Sequence, residues 1–150
     1  MKTYQKLEDL RPLVGQVIGT GDWLSIDQAR INQFAEVTGD DQWIHVDPER
    51  AAKGMFGTTV AHGFLTLSLL PYLSRSSFKV EGLRMTVNYG LNRVRFPAPV
   101  PVNSRIRAHH KLISYESIEG GVQVVNEVSI EREGQSKPVC VAESVARHYI

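Results

Sequence analysis

Two periodicities divide the chain into a helical half and a strand half. A first helix is predicted from the capping-box pair Ser25 and Gln28 to its end at Thr38-Gly39. Its apolar side is expected to comprise Ile26, Ala29, Ile31, Phe34 and Val37. From Leu83 onward apolar and polar residues alternate with period two, which is typical of half-buried strands. The predicted strands are Leu83 to Phe96, Ser104 to Glu116, Val122 to Arg132 and Lys137 to Tyr149. Helices followed by antiparallel strands indicate an α+β fold with the helices grouped on one face of a sheet.

The most apolar stretch of the chain runs from His62 to Leu73. Its leucines and Phe64 leave almost no polar face, so we expect a helix that is buried rather than amphipathic. Pro71 lies inside this stretch and predicts a kink or a break, because proline has no N–H to donate within a helix.

Smaller features complete the predicted order of elements. An extended segment is expected from Val14 to Trp23, and a short helix from Asp47-Pro48 to about Lys53. Gly120-Gly121 and Glu133-Gly134 are typical of hairpin turns. The last strand places small residues on one face, where a helix can pack closely: Cys140, Ala142, Ser144 and Ala146.

Composition narrows the class of protein. A chain of 150 residues with 42% hydrophobic and 22% charged residues is expected to form one globular domain, residues 1–150. A formal net charge of +1 gives no basic surface for nucleic acid. The single cysteine, Cys140, excludes an internal disulfide and a cysteine-based metal cluster. The start of the chain is not typical of a signal peptide, and no run approaches the roughly 18 apolar residues that cross a bilayer. We therefore expect a cytoplasmic protein that does not enter membranes.

The most informative chemistry lies just past the first helix, at Asp40 and His45. A carboxylate and an imidazole form the pair that moves protons on and off water. Five residues apart, they would lie about 140° apart around a helix and on opposite faces of a strand. The two side chains can meet only if the chain curls between them, and Gly39 permits such a curl at its start. We therefore predict a catalytic loop rather than a catalytic helix.

The segment around this pair resembles the hydratase signature of the MaoC-like family, which includes the (R)-specific enoyl-CoA hydratases. The matching residues are Phe34, Val37, Thr38, Gly39, Asp40, His45 and Ala51. The family usually has Asn-Pro at Gln42-Trp43, where this chain is similar to the branch named after the nodulation protein NodN. When an Asp and a His occur at this spacing without other motif residues, they more often have a structural role than a catalytic one. The resemblance instead implies that Asp40 and His45 are catalytic, that no cofactor is needed, and that a curved sheet wraps a long central helix in a hot-dog fold.

A second segment, Ala61-His62-Gly63-Phe64, also resembles the family, whose glycine N–H at this place binds the thioester oxygen of the substrate. The first N–H groups of a helix have no internal acceptor, and Gly63 has no side chain to keep a carbonyl away. That carbonyl becomes enolate-like during the reaction, so a pre-aimed donor stabilises it. The alternative is that Gly63 only permits tight packing. His62 is expected either to touch the substrate or to end a loop, and is assigned no catalytic role.

Other candidate residues have two interpretations each. Arg93 and Arg95 share one face of a strand that resembles the strand beside the family's active site. Either can meet a nucleotide phosphate of coenzyme A or remain a solvated charge. Trp43 either walls the acyl pocket or packs the loop. His109 and His110 point to opposite faces of a strand, and the five histidines show no metal-ligand spacing, so no metal site is expected.

The predicted function is that of a hydratase/dehydratase acting on the 2,3 double bond of an acyl-CoA or other acyl thioester. A single hot-dog unit has exposed sheet edges, so we expect a homodimer or a higher oligomer. One alternative is a hot-dog thioesterase, which sends water to the carbonyl carbon. Such enzymes usually carry a carboxylate on or beside the central helix, and Phe64 to Arg75 contains no Asp or Glu. The other alternative, a non-catalytic acyl-thioester binder, is kept open by Gln42-Trp43.

Overall fold

The four predicted strands build most of one antiparallel sheet. The computed structural model describes all 150 residues, Met1–Ile150. Its strands are β1 (Lys2–Tyr4), β2 (Val17–Thr20), β3 (Leu24–Ile26), β4 (Phe78–Val80), β5 (Met85–Arg95), β6 (Ser104–Ile118), β7 (Gly121–Arg132) and β8 (Cys140–Tyr149). Six of them form the large sheet in the order β2, β6, β7, β8, β5, with β3 also paired to β6. β1 and β4 form a separate parallel pair.

The helices occupy the first half of the chain, as predicted. They are a 3₁₀ helix (Leu7–Leu13), α1 (Gln28–Thr38), α2 (Trp43–Val46), α3 (Pro48–Ala51), α4 (Gly63–Ser68) and α5 (Leu70–Ser77). Asp47 caps α3 by accepting a hydrogen bond from Arg50 N at 3.0 Å, which confirms the predicted start of that helix. No helix is long and apolar enough to cross a membrane.

The period-two pattern located the long strands well. The bounds of β5 to β8 agree with the prediction to within three residues, and β2 lies inside the predicted extended segment. The turn between β6 and β7 places Gly120 at φ +73°, and Gly134 adopts φ +77° after β7. Gly121 is the first residue of β7 rather than part of the turn, so that detail of the prediction is wrong.

The predicted start of the first helix at Ser25 is wrong. Residues 24–26 form β3, which pairs with Ser104 to Ile106 at the start of β6. The cap is instead Asp27, whose carboxylate accepts a hydrogen bond from Arg30 N at 2.9 Å. The apolar side of α1 is also narrower than predicted, since Ile31 is buried but Val37 is 80% exposed.

The central apolar stretch is helical but interrupted. α4 and α5 meet at Leu69, two residues before Pro71, which confirms the predicted break. The expectation that the whole stretch is buried is wrong, because Phe64 is 69% exposed. A sheet can cover only one side of a helix, and the covered side carries Leu65, Leu69 and Leu73.

These three leucines pack on one face of the sheet and belong to its main core. Cys140 and Ala142 lie in the same core with no exposed surface, which confirms that the small residues at the start of β8 admit a helix. A second core lies beneath the 3₁₀ helix and contains Leu7, Leu10, Ile18, Val80, Leu112, Val122 and Val124. Both cores hold the helices against the sheet. The segment that follows α1 contacts the segment that precedes α4, where His62 lies 2.8 Å from Asp40 O.

Candidate active site

The first half of the site is the turn that ends α1. Gly39 adopts φ +73°, the left-handed conformation that suits glycine, and its N–H donates to Ala35 O at 2.9 Å. The chain then leaves the helix axis at Asp40, whose side chain is exposed. Thr38 steadies this turn, because its hydroxyl donates to Phe34 O at 2.6 Å and accepts from Asp40 N at 3.4 Å.

The second half is His45, which lies on the four-residue helix α2 and is 6% exposed. The predicted loop is therefore correct for Asp40 but wrong for His45. Because a carbonyl only accepts hydrogen bonds, His45 Nδ1 donates to Val60 O, at 2.7 Å. The other ring nitrogen, Nε2, then carries a lone pair. Burial lowers the pKa of His45, so the imidazole is neutral and able to accept a proton at neutral pH.

The backbone of α2 is tied to the elements on both sides of it. Gln28 on α1 donates from its amide to His45 O at 2.7 Å, and Thr59 donates to the other end of the same amide at 2.5 Å. Val60 N donates to Ile44 O at 3.0 Å. The Gln28 side chain, expected to cap a helix, is instead a bridge between α1, α2 and the segment before α4.

Asp40 and His45 converge, together with a third residue that the sequence did not assign. A carboxylate oxygen of Asp40 and one ring nitrogen each of His45 and His62 lie within 4.8 Å of one another. Two groups that share one water can stand about 5.6 Å apart, so this spacing accommodates a bridging water. His62 is 2% exposed, and its position beside Gly63 in sequence was the only signal that pointed to it.

Three such side chains can also ligate a divalent metal ion. In this arrangement His45 Nδ1 and His62 Nε2 already lie at hydrogen-bond distance from backbone carbonyls. Only one nitrogen of each ring is left for a further partner. That the enzyme works without a metal stays a prediction.

Gly63 is the first residue of α4 and lies in the wall of a cavity of about 320 Å³. A Cβ at this position would lie 3.0–3.1 Å from ring atoms of Phe96 and touch no backbone atom that closely. His45 lines the same cavity. The other lining residues are mostly apolar: Ile44, Phe56, Val60, Ala61, Thr66, Phe96, Pro97, Ala98, Pro99, Val100 and Val139. The cavity can therefore hold an apolar chain with its polar end near His45 and Gly63.

The remaining candidates lie outside this cavity. Arg95 is the exposed last residue of β5, and its guanidinium donates a hydrogen bond to Val94 O at 2.7 Å. Although its neighbour in sequence, Phe96, lines the cavity, Arg95 does not. Trp43 lies under Arg50, whose guanidinium is 4.5 Å from the ring centroid. The same ring fills the space where Gly54 lacks a side chain. Of the two interpretations of Trp43, loop packing is therefore correct.

His109 and His110 point to opposite faces of β6, as predicted. His109 bonds Glu131 at 2.7 Å on the outer face, whereas His110 is buried on the core side. Neither belongs to the site.

The chain matches the MaoC like domain over residues 9–133. It belongs to the MaoC-like family. It is 52% identical to the 3-hydroxyacyl-thioester dehydratase Z of Mycobacterium tuberculosis over 149 residues, 99% of each protein. It is 43% identical to the nodulation protein N of Rhizobium meliloti over 143 residues, 93% of this chain and 89% of that protein.

Solved MaoC-like structures share its fold. An R-hydratase from Pseudomonas aeruginosa superposes with a TM-score of 0.70 and 24% identity, over 91% of this chain and 81% of that one. A monoamine oxidase regulatory protein from Archaeoglobus reaches 0.76 with 22% identity, over 99% and 97%. These comparisons confirm the predicted hot-dog fold, the resemblance to the NodN branch and the hydratase/dehydratase class.

Proposed function

We propose that this chain adds water to, or removes it from, the 2,3 double bond of an acyl thioester, with Asp40 and His45 as its acid-base pair. One observation carries the proposal. The Asp40 carboxylate and the His45 imidazole lie within 4.8 Å, and His45 opens onto the apolar cavity that Gly63 also lines. A water held by the pair would face a substrate whose acyl chain fills that cavity.

In hydration, the Asp40 carboxylate and the lone pair of His45 Nε2 each accept a hydrogen bond from one water. As the water oxygen bonds to the β-carbon, Asp40 accepts a proton from it and the π electrons move toward the thioester carbonyl. The α-carbon of the resulting enolate then takes up the proton that Asp40 removed from the water, and the His45 Nε2 lone pair assists its delivery, so that Asp40 returns to its carboxylate form. One water is added in total, and dehydration reverses the same steps.

Gly63 N–H is the proposed donor to the thioester oxygen. It lies at the first position of α4, where a backbone N–H has no acceptor within the helix. Because α4 has only six residues, the hydrogen bond itself matters more than the helix dipole. A fixed donor is useful at this point, since the oxygen gains negative charge as the enolate forms.

The same proposal extends to the carrier and the assembly. A coenzyme A thioester would leave its nucleotide outside the cavity, and we propose that the exposed Arg95 meets one of its phosphates. A homodimer would cover the exposed edge of β5 and the exposed side of α4. A cytoplasmic location remains part of the proposal.

Two rival functions find less support in the site. Thioesterases of this fold usually carry a carboxylate on or beside the central helix, and neither α4 nor α5 contains an Asp or a Glu. A non-catalytic binder was kept open by Gln42-Trp43, but Trp43 packs on Arg50 and Gly54 and does not line the cavity. The departure from the family pattern therefore changes how the loop packs rather than what faces the substrate.

Incubation with crotonyl-CoA tests the proposal. Hydration removes the absorbance of the conjugated thioester and releases no free thiol, so both signals are followed in one cuvette. Asp40→Asn serves as the control for chemistry that does not use the site. Release of thiol at the rate of absorbance loss would favour the thioesterase, and binding without either signal would favour the binder.

A further inference from the structure

We propose that His62 is a positioning residue, which sets the geometry of both Asp40 and His45 from the segment in front of α4. The inference rests on the proposed roles of Asp40 and His45. It adds a third element to the site, because His62 comes from neither the turn after α1 nor from α2.

The first contact fixes the Asp40 backbone. His62 Nε2 lies 2.8 Å from Asp40 O, and since a carbonyl only accepts, His62 donates this hydrogen bond. The other side-chain bond to that backbone, from Asp40 N to Thr38, is 3.4 Å long and therefore weaker. Asp40 is exposed, so few packing contacts hold it, and the bond from His62 is the shorter of the two side-chain hydrogen bonds that fix the backbone from which its carboxylate extends.

The second contact fixes the plane of the His45 ring. The rings of His45 and His62 stack with centroids 3.8 Å apart and planes 23° apart. The His62 ring also contacts Phe34 on α1, at 4.9 Å between centroids. His45 is anchored at Nδ1 by Val60 O, which restricts the torsion of its ring. Stacking on the buried ring of His62 adds a second restraint on the ring plane and so helps to aim Nε2.

The tautomer of His62 argues that its role is positional rather than acid-base. Its Nδ1 atom is buried and has no hydrogen-bond partner. A proton there would be a buried N–H without an acceptor, at a cost of about 1–3 kcal/mol. His62 therefore carries its proton on Nε2, and that proton is engaged by Asp40 O. The side chain has no free proton to give to a substrate.

Three substitutions separate the two contacts. In His62→Gln the side-chain amide nitrogen reaches the place of Nε2, so the bond to Asp40 O can persist. In His62→Asn the amide nitrogen lies nearer the place of Nδ1, and that bond is lost. His62→Phe keeps a ring for stacking but has no donor. All three are assayed with crotonyl-CoA, and their thermal unfolding is measured alongside.

We expect kcat to fall by about 10- to 100-fold in His62→Asn and His62→Phe and by clearly less in His62→Gln, because misplacement of about 1 Å can cost 10²-fold. KM should change by less than about twofold in all three, since His62 does not line the cavity. A merely structural residue would lower the unfolding temperature without this order among the variants.

The pH profile gives a second readout. The titratable groups that face His45 are His62 and Asp40, while α1 presents the neutral Gln28 and the Val60 segment a backbone carbonyl. Burial lowers the pKa of His45, and in acid the repulsion between two charged imidazole rings at this spacing lowers it further. In His62→Phe the acid limb of kcat/KM should therefore move to higher pH.

The wild-type protein provides a test that does not depend on any variant folding. The chemical shifts of its isotope-labelled imidazole nitrogens should report a proton on Nε2 of His62 at neutral pH. A proton on Nδ1 would overturn the proposal, as would equal kcat in all three variants and the wild type. If Asp40→Asn abolishes hydration but the His62 variants are fully active, only this inference fails. If Asp40→Asn is active, the proposed function fails as well.

Discussion

At the residue scale, substitution of Gly63 tests whether this glycine donates to the thioester oxygen or only permits packing. Gly63→Val should lower kcat/KM by at least about 100-fold, the usual effect of removing one oxyanion donor, with a smaller loss of stability. The added Cβ would meet the partly exposed ring of Phe96 at 3.0 Å, and a side chain of this kind can shift. Steady-state kinetics and urea unfolding measure the two effects.

The double variant Gly63→Val/Phe96→Ala is the matched control. It relieves the contact with the ring but leaves the valine methyl groups in front of the N–H. Because Phe96 lines the cavity, the double variant is compared with Phe96→Ala alone, and activity well below that of Phe96→Ala supports the oxyanion role. Recovery of activity, or unfolding of Gly63→Val alone, would support the alternative that Gly63 only permits packing.

His110 makes the stability of the fold depend on pH. Burial on the core side of β6, with a smaller effect of the neighbouring His109, lowers the pKa of His110 from 6.5 to about 4. Between these values the unfolded chain binds a proton that the folded chain does not. Stability is therefore full above 6.5 and falls as the pH falls, by about 1.4 kcal/mol per unit. Acidification from pH 7 to pH 5 should cost about 2 kcal/mol through this residue.

Urea unfolding at the two pH values tests this in the wild type and in His110→Gln. Burial also lowers the pKa of His45 and His148, so the variant should retain part of the dependence. A drop in unfolding free energy that is as large in His110→Gln as in the wild type would contradict the assignment.

At the scale of elements, the long strands with a regular alternation of apolar and polar residues were predicted best. Buried and more exposed residues alternate over residues 105–113 of β6 and 121–131 of β7, so their pattern is long enough to read. α2 has only four residues, too few for any helical period, and its formation depends on bonds to α1 and to Val60. Ser25 was assigned to a helix because local capping signals cannot show that β6 will pair with that segment.

In the candidate site too, the sequence predicted residues in local motifs and missed contacts between residues that are distant along the chain. Asp40, His45 and Gly63 were predicted from short motifs, and the structure brings them to one place. His62 was left without a role because its stacking on His45 and its bond to Asp40 join residues 17 and 22 positions apart. Arg95 was chosen from a strand pattern, which cannot show that it lies outside the cavity.

At the scale of the whole molecule, the surface indicates an unpaired edge. β5 ends the six-stranded sheet, is 11 residues long and carries the exposed apolar residues Met85, Tyr89 and Leu91. A long exposed edge pairs readily with another chain, and a closed two-fold dimer is the commonest result. Light scattering at micromolar concentration should therefore give twice the chain mass of 16.8 kDa.

Leu91→Glu should shift this mass toward one chain and lower the activity with it, because it places a charge at the edge strand. Ile113→Glu is the control, since Ile113 is similarly exposed but lies on β6 in the interior of the sheet. A wild-type protein that is fully active at the mass of one chain would contradict the dimer.

The most direct test of the whole account is the hydration rate of crotonyl-CoA by the wild type, Asp40→Asn, His45→Ala and the double variant. Asp40 and His45 are proposed to act on one water, so each single change should lower kcat by about 10²–10⁴-fold. Groups that act as a unit are not additive, and the double variant should be little worse than either single one. Circular dichroism shows whether each variant is folded. Near-wild-type turnover by folded Asp40→Asn would contradict the account.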